Sequence, residues 1–253
     1  MTKRRNFLAR KTAAAIAVLL GAIISTACAE IGPWQRDYDA LLKKYVGGGG
    51  VRYAAWKASP ADLAALSQVV TAIGVDNPKS LSREDQLAFY INAYNAWVVY
   101  LVLQKYPIRS VKDYAPFSGI FTGQNIRLAG RKTSLNYLEK DLIRNGFKDP
   151  RVHFALNCAS RSCPVLIPAA YAGTSLNTTL DERARAYVVN PLGVQISSGS
   201  NAVRLSSIFK WYADDFKSEG GAVAFINRYR PQPLPKDAKI EFQDYDWSLN
   251  ETR

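Results

Sequence analysis

The 253 residues are 48% hydrophobic and 21% charged, an ordinary globular balance that excludes a low-complexity chain and supplies apolar bulk for a sizeable core. The net charge of +12 is concentrated at the start: Lys3, Arg4, Arg5, Arg10 and Lys11 fall in the first 29 residues with no acid, which leaves about +7 for the rest. A single histidine excludes multi-histidine metal centres and HExxH chemistry, and there is no dinucleotide fingerprint, no G-x-S-x-G elbow and no basic helix with interleaved aromatics.

The N-terminus reads as an export signal. "MTKRRNFLARK" is a charged region, "TAAAIAVLLGAIISTA" an apolar one, and Ala27 and Ala29 form an A-x-A cleavage pattern before Glu30. The apolar stretch is short for a spanning helix, so residues 1–29 are expected to be removed. Arg4, Arg5, Phe7 and Leu8 partly match the twin-arginine type of signal. Lipidation at Cys28 ranks below cleavage, because Ser25 stands where an aliphatic residue is preferred. The mature chain, 30–253, is expected in the periplasm or outside the cell, with no transmembrane span and only Cys158 and Cys163 left in an oxidising compartment. Its expected partner is an envelope ligand or polymer. Nucleic acid, a cofactor and a bound metal are not expected.

In chain order, "QRDYDALLKKYV" has a helical pattern, and "GGGG" at 47–50 reads as a flexible turn. "SPADLAALSQVVTAIG" is a helix opened by Ser59-Pro60 and closed by Gly74. "QLAFYINAYNAWVVYLVLQKYP" is apolar almost all round, which predicts a central buried helix ended by Pro107. "NIRLAGRKTSL" predicts a hairpin around Ala129-Gly130, and the next helix runs from Thr133 or Ser134 to Gly146. "RVHFALN" alternates like a strand. "SLNTTLDERARAYVVN" is a helix, "GVQIS" and "AVRLS" form a second hairpin, "SSIFKWYADDFKSEGG" and "AVAFINRYR" are helices, and "AKIEFQDYDW" is a last strand. No stretch looks like a linker between two cores. The sum is a single α+β domain: a central buried helix, surrounding helices and a small, mostly antiparallel sheet.

The reactive side chains cluster in "RVHFALNCASRSCPVL", which holds His153, Cys158 and Cys163. Four readings of the cysteines stay open: a structural disulfide Cys158–Cys163, a reactive thiolate, a zinc site with His153, or two inert buried thiols. On an extended strand His153 and Cys158 would stand roughly 16 Å apart at ~3.3 Å per residue, so a Cys–His pair requires the chain to turn back after Asn157. Leu135, Leu138 and Leu142 make an apolar stripe on which Glu139 also falls, and a carboxylate there needs a partner. Glu139 is the candidate to orient His153. Asp215 makes a similar but weaker case, being surrounded by Lys210, Asp214 and Lys217. Asn92 and Asn95 lie on one side of the central helix. Their amides are expected either to pin backbone of the cysteine segment or to stabilise an oxyanion.

"LAFYINAYNAWVVYLVLQKYP", "DPRVHFALNCASRSCPVL" and "LSSIFKWYADDF" resemble the core blocks of the DUF547 family, a domain of unknown function, over roughly residues 50–230. The resemblance implies no reaction. It marks Ile91–Ala96 and Phe154–Pro164 as characteristic segments, and so points again at Asn92, Asn95 and Cys158. The expected function is a thiol-dependent hydrolase or acyl/peptidyl transferase of the envelope: Cys158 as nucleophile, His153 as base, Glu139 as orienter, Asn92 or Asn95 at the oxyanion. The alternative is a non-catalytic binding domain stapled by Cys158–Cys163.

Overall fold

From Leu87 to Val99 every residue of the helix Arg83–Lys105 is buried. A helix apolar on all sides has nowhere to lie but the middle, and the chain is wrapped around it. The computed structural model describes residues 33–114, 119–196 and 201–252. The export segment at 1–29, with Cys28, lies outside them, as does the tip of the second hairpin at 197–200.

Helix α1 (Pro33–Tyr45) leads to the hairpin β1 (Val46–Gly47) and β2 (Gly50–Val51), then to α2 (Tyr53–Lys57), α3 (Pro60–Val75) and the central α4 (Arg83–Lys105). Ser82 caps α4 by accepting from the Asp85 amide, with Glu84 and Asp85 in the first turn. After α5 (Gly119–Thr122) come the hairpin β3 (Ile126–Leu128) and β4 (Arg131–Thr133), then α6 (Leu135–Tyr137), a π-helical turn Leu138–Arg144 and α7 (Asn145–Phe147). A 3-10 turn, Pro150–Phe154, precedes α8 (Leu176–Val189). The chain ends with β5 (Val194–Ile196), β6 (Ala202–Leu205), α9 (Ser207–Trp211), a 3-10 turn Ala213–Glu219, α10 (Ala222–Tyr229) and β7 (Lys239–Phe242).

The fold is α+β, as expected, but among the described residues its strands form three separate pieces. Two are antiparallel two-stranded hairpins, β1–β2 and β3–β4. The third runs β5-β6-β7, antiparallel in its first pair and parallel in its second. The parallel pairing is possible because α9, a 3-10 turn and α10 supply the crossover.

Three local expectations fail for identifiable reasons. "RVHFALN" is not a strand. Asp149 caps a 3-10 turn by accepting from the Arg151 amide at 2.9 Å, and Pro150 sits at its first position with φ already fixed. The alternation misleads because Val152 to Asn157 are all buried, so there is no polar face. The helix after Ser134 starts as expected, with Ser134 accepting from the Tyr137 amide, but widens into the π turn. Leu138 and Ile143, five apart, are its buried pair, a spacing that fits an i→i+5 repeat. "SSIFKWYADDFKSEGG" breaks at Tyr212, whose backbone is not helical (φ −112°, ψ 27°).

Among the described residues two apolar clusters result. The larger gathers α1, α3, α4 and their neighbours. The smaller gathers α8, α9, α10 and the β5-β6 strands. The 3-10 turn joins them: Val152 belongs to the first and Phe154 to the second, where its ring stacks on Phe225 at 5.6 Å. His153 lies between the two. Among the described residues no helix is long and apolar enough to cross a membrane.

Candidate active site

A cleft of about 330 Å³ opens where the two clusters meet. Its walls come from α4 (Tyr94), the π turn (Glu139, Lys140), the first 3-10 turn (His153), the cysteine loop (Cys158, Cys163), the end of α9 (Trp211, Tyr212) and the C-terminal segment (Tyr245, Trp247). The rare reactive side chains of the sequence therefore do share one cavity.

His153 is buried, and its Nε2 lies 2.7 Å from Asp215 Oδ2. Arg144 grips the same carboxylate with two bonds, Nε to Oδ2 at 2.6 Å and Nη2 to Oδ1 at 3.0 Å. Burial pushes the Asp215 carboxyl upward, but the hydrogen bonds from His153 and Arg144 outweigh it and hold the group well below the usual carboxylate range. An ionised carboxylate can only accept, so Nε2 is the ring nitrogen that carries the proton. Nδ1 has no hydrogen bond among the described residues, and in the neutral ring it holds the lone pair. The imidazole stacks on Tyr212 with centroids 4.0 Å apart, and the Arg144 guanidinium covers Tyr212 at 4.6 Å.

The carboxylate bonded to His153 is thus Asp215, not Glu139. Glu139 is taken up by two tyrosines: Tyr212 donates to Oε1 at 2.7 Å and Tyr94 to Oε2 at 3.4 Å. Tyr212 stacks on the imidazole and turns its hydroxyl to Glu139, so it connects the two groups without letting them bond. Burial, then the Glu139 charge, pushes both phenols far above their ordinary range, so both remain donors.

Cys158 and Cys163 form a disulfide with Cα atoms 6.0 Å apart, inside the usual span. Cys158 is half-buried and Cys163 buried. The Cys158 amide donates to Cys163 Sγ at 2.8 Å, and the Tyr245 hydroxyl donates to Cys163 Sγ at 3.2 Å. Burial pushes the Tyr245 phenol up to about 12. The chain does turn back after Asn157: Ala159 adopts φ 62°, and Asn157 closes the turn by accepting from the Ala159 amide and donating to the Pro164 carbonyl. No hydrogen bond joins His153 to either sulfur.

Asn95 is buried and bonded to the cysteine segment as expected: it donates to the Ala155 carbonyl at 2.9 Å and accepts from the Asn157 amide at 2.8 Å. Asn92 pairs in the same way with both backbone groups of Tyr171. Neither lines the cleft. Their amides are spent on backbone, which removes the oxyanion role expected for them. Among the described residues no three His, Cys, Asp or Glu side chains converge as a metal site requires.

Arg144, Tyr94, Tyr212, Tyr245 and Trp247 escaped the sequence reading. The one signal for Tyr212, Tyr245 and Trp247 was the aromatic density of "KWYADD" and "DYDW", which suggests a surface but gives no pairing; Tyr94 and Arg144 had none beyond lying on predicted helices.

Residues 78–188 match the family model described as "Protein of unknown function, DUF547". The resemblance to that family therefore holds over this stretch, which is narrower than 50–230. It takes in Asn92, Asn95, Glu139, Arg144, His153 and both cysteines, while Tyr212, Asp215, Tyr245 and Trp247 lie beyond it. Neither the curated proteins nor the solved structures contain a match.

Proposed function

We propose that the protein is a thiol-dependent hydrolase or acyl/peptidyl transferase of the cell envelope, with Cys158 as nucleophile, His153 as base and Asp215 as the group that orients His153. The observation that carries this reading is that His153, held from behind by Asp215, lines the cleft that also holds the cysteines. The envelope setting rests on the export signal read in residues 1–29. The disulfide is then the resting form. A dithiol reductant exchanges with it, is itself oxidised to a disulfide, and leaves two thiols. The Cys158 proton passes to His153 Nδ1, and the thiolate attacks an acyl carbon. The leaving group departs with the proton from the imidazolium, leaving a thioester that water or an acceptor amine resolves.

The test is alkylation of the reduced protein by iodoacetamide, read by peptide mass spectrometry. Cys158 should react faster than free cysteine at neutral pH, and His153→Ala should slow it by roughly 10²-fold, in line with general-base assistance. A reduced Cys158 that reacts no faster than free cysteine, and is indifferent to His153→Ala, sinks the reading.

The disulfide itself favours a second reading, a binding domain stapled across its cysteine loop. In that case reduction lowers stability and exposes no activated thiol, so the same alkylation experiment separates the two.

A further inference from the structure

Glu139 has no place in the proposed chemistry, yet it is only 8% exposed and lines the cleft. A buried carboxylate is costly unless its charge is met. A carboxylate offers about four acceptor positions, and here Tyr212 and Tyr94 supply one donor each, the second over a long 3.4 Å. No ion pair reaches Glu139 among the described residues. Arg144, on the same turn, is bonded to Asp215 and reaches Glu139 only through its field, and Lys140 lines the cleft with its side chain exposed to water. The acceptor capacity that remains belongs to whatever enters the cleft.

The surrounding wall is aromatic. Trp211, Tyr245 and Trp247 form one cluster, with centroids 4.8 Å apart for Trp211–Tyr245 and 4.7 Å for Tyr245–Trp247. Trp211 is 48% exposed, so part of its surface is free. Indole faces attract cations, and the Lys112 ammonium already lies 5.0 Å over Trp247. A buried carboxylate with two phenol donors but no ion pair, in a cleft that also exposes indole, is a site for an ammonium group on an apolar stem.

We infer that the cleft selects ligands bearing a primary aliphatic amine, and that Glu139 is the residue that recognises it. This rests on the cleft being the functional site but not on Cys158 being reactive. The experiment is a titration of the oxidised full-length mature chain with n-butylammonium, followed by tryptophan fluorescence, against n-butanol as the neutral analogue. The ammonium should give saturable quenching and the alcohol none. Glu139→Gln should weaken the ammonium by roughly tenfold or more, the scale of a hydrogen bond to a charged group. Gln keeps an acceptor for one of the two tyrosines and presents its NH2 to the other, and a melting curve checks that the variant folds. Tyr212→Phe provides a second reading: with one donor removed from the carboxylate, the ammonium should bind more tightly. Equal binding of butanol, or indifference to both substitutions, overturns the inference. The disulfide is intact throughout, so an inert Cys158 in the alkylation test leaves this result standing.

Discussion

At His153 a single hydrogen bond decides which ring nitrogen is left for chemistry. Nε2 is held by Asp215, and Asp215 is held by Arg144, so the imidazole has one orientation and one tautomer. The same arrangement makes stability depend on pH. The folded-state pKa of Asp215 is depressed, so its contribution is present above the unfolded value of ~3.9. It disappears as pH falls through the folded value, because the unfolded chain binds the proton first. Thermal melts from neutral to strongly acidic pH should therefore fall more steeply below about pH 4 for the native protein than for Asp215→Asn, which has no carboxyl to titrate there. Parallel profiles would show that the pair carries no linkage. Little of this pairing was legible in the sequence. His153 and the cysteines stand out because such residues are rare in this chain. Asp215 lies 62 positions away in a run of surface charges, so the sequence could raise it as a weaker candidate but gave no ground to prefer it to Glu139.

Among the elements, α4 does two jobs. Its apolar surface fills the core, and its two asparagines fix backbone that no sheet or helix would otherwise satisfy. This was readable, since an amide inside an all-apolar helix must find partners, and a turn that leaves regular structure has groups to offer. Asn95→Leu keeps the branched shape but not the hydrogen bonds, and strands the Ala155 carbonyl and the Asn157 amide. The expected cost is about 1–3 kcal/mol for each stranded group, seen as a lower denaturant midpoint. Amide exchange at Asn157 and Cys158 should speed up with it. Unchanged exchange would mean that the disulfide alone holds the loop. The π turn shows the opposite case. A 3.6-residue period placed Glu139 on the buried stripe correctly but could not give its partner, because the wider turn brings Ile143 rather than Leu142 into line with Leu138. The 3-10 turn of His153 escaped for a related reason: alternation reports a strand only when one face is wet, and here neither is.

Across the whole molecule, the C-terminal segment ties distant parts to the cleft. It carries Tyr245 and Trp247 into the cavity wall. Further on, Leu249 donates to the Arg109 carbonyl, and the Asn250 amide donates to the Ala159 carbonyl inside the cysteine loop. The Asn250 carbonyl accepts from Val51, while its side chain accepts from Tyr53 and donates to Asn157. The N-terminal hairpin, the loop after α4 and the cysteine loop therefore lean on one C-terminal strand-like segment, residues 247–252, which pairs through isolated bridges. "GGGG" takes part in this and is more than a flexible turn. Gly48 and Gly49 turn the hairpin with φ of 60° and 84°, conformations that favour glycine. Gly50 is required for a different reason: a Cβ there would lie 2.1 Å from the Asn250 carbonyl oxygen. No local pattern reveals such an approach, because its cause sits at the other end of the chain. Gly50→Ala must push the C-terminal strand away, at a cost of about 1–3 kcal/mol for an overpacked contact, or lose the Val51–Asn250 bond outright. Gly47→Ala is the control, since a Cβ there meets nothing within 4 Å. Gly50→Ala should lower the melting temperature and, because the displaced strand also positions Ala159, Tyr245 and Trp247, weaken n-butylammonium binding. Gly47→Ala should do neither. If Gly50→Ala melts with the native protein and binds as well, the hairpin and the C-terminal strand are not coupled to the cleft.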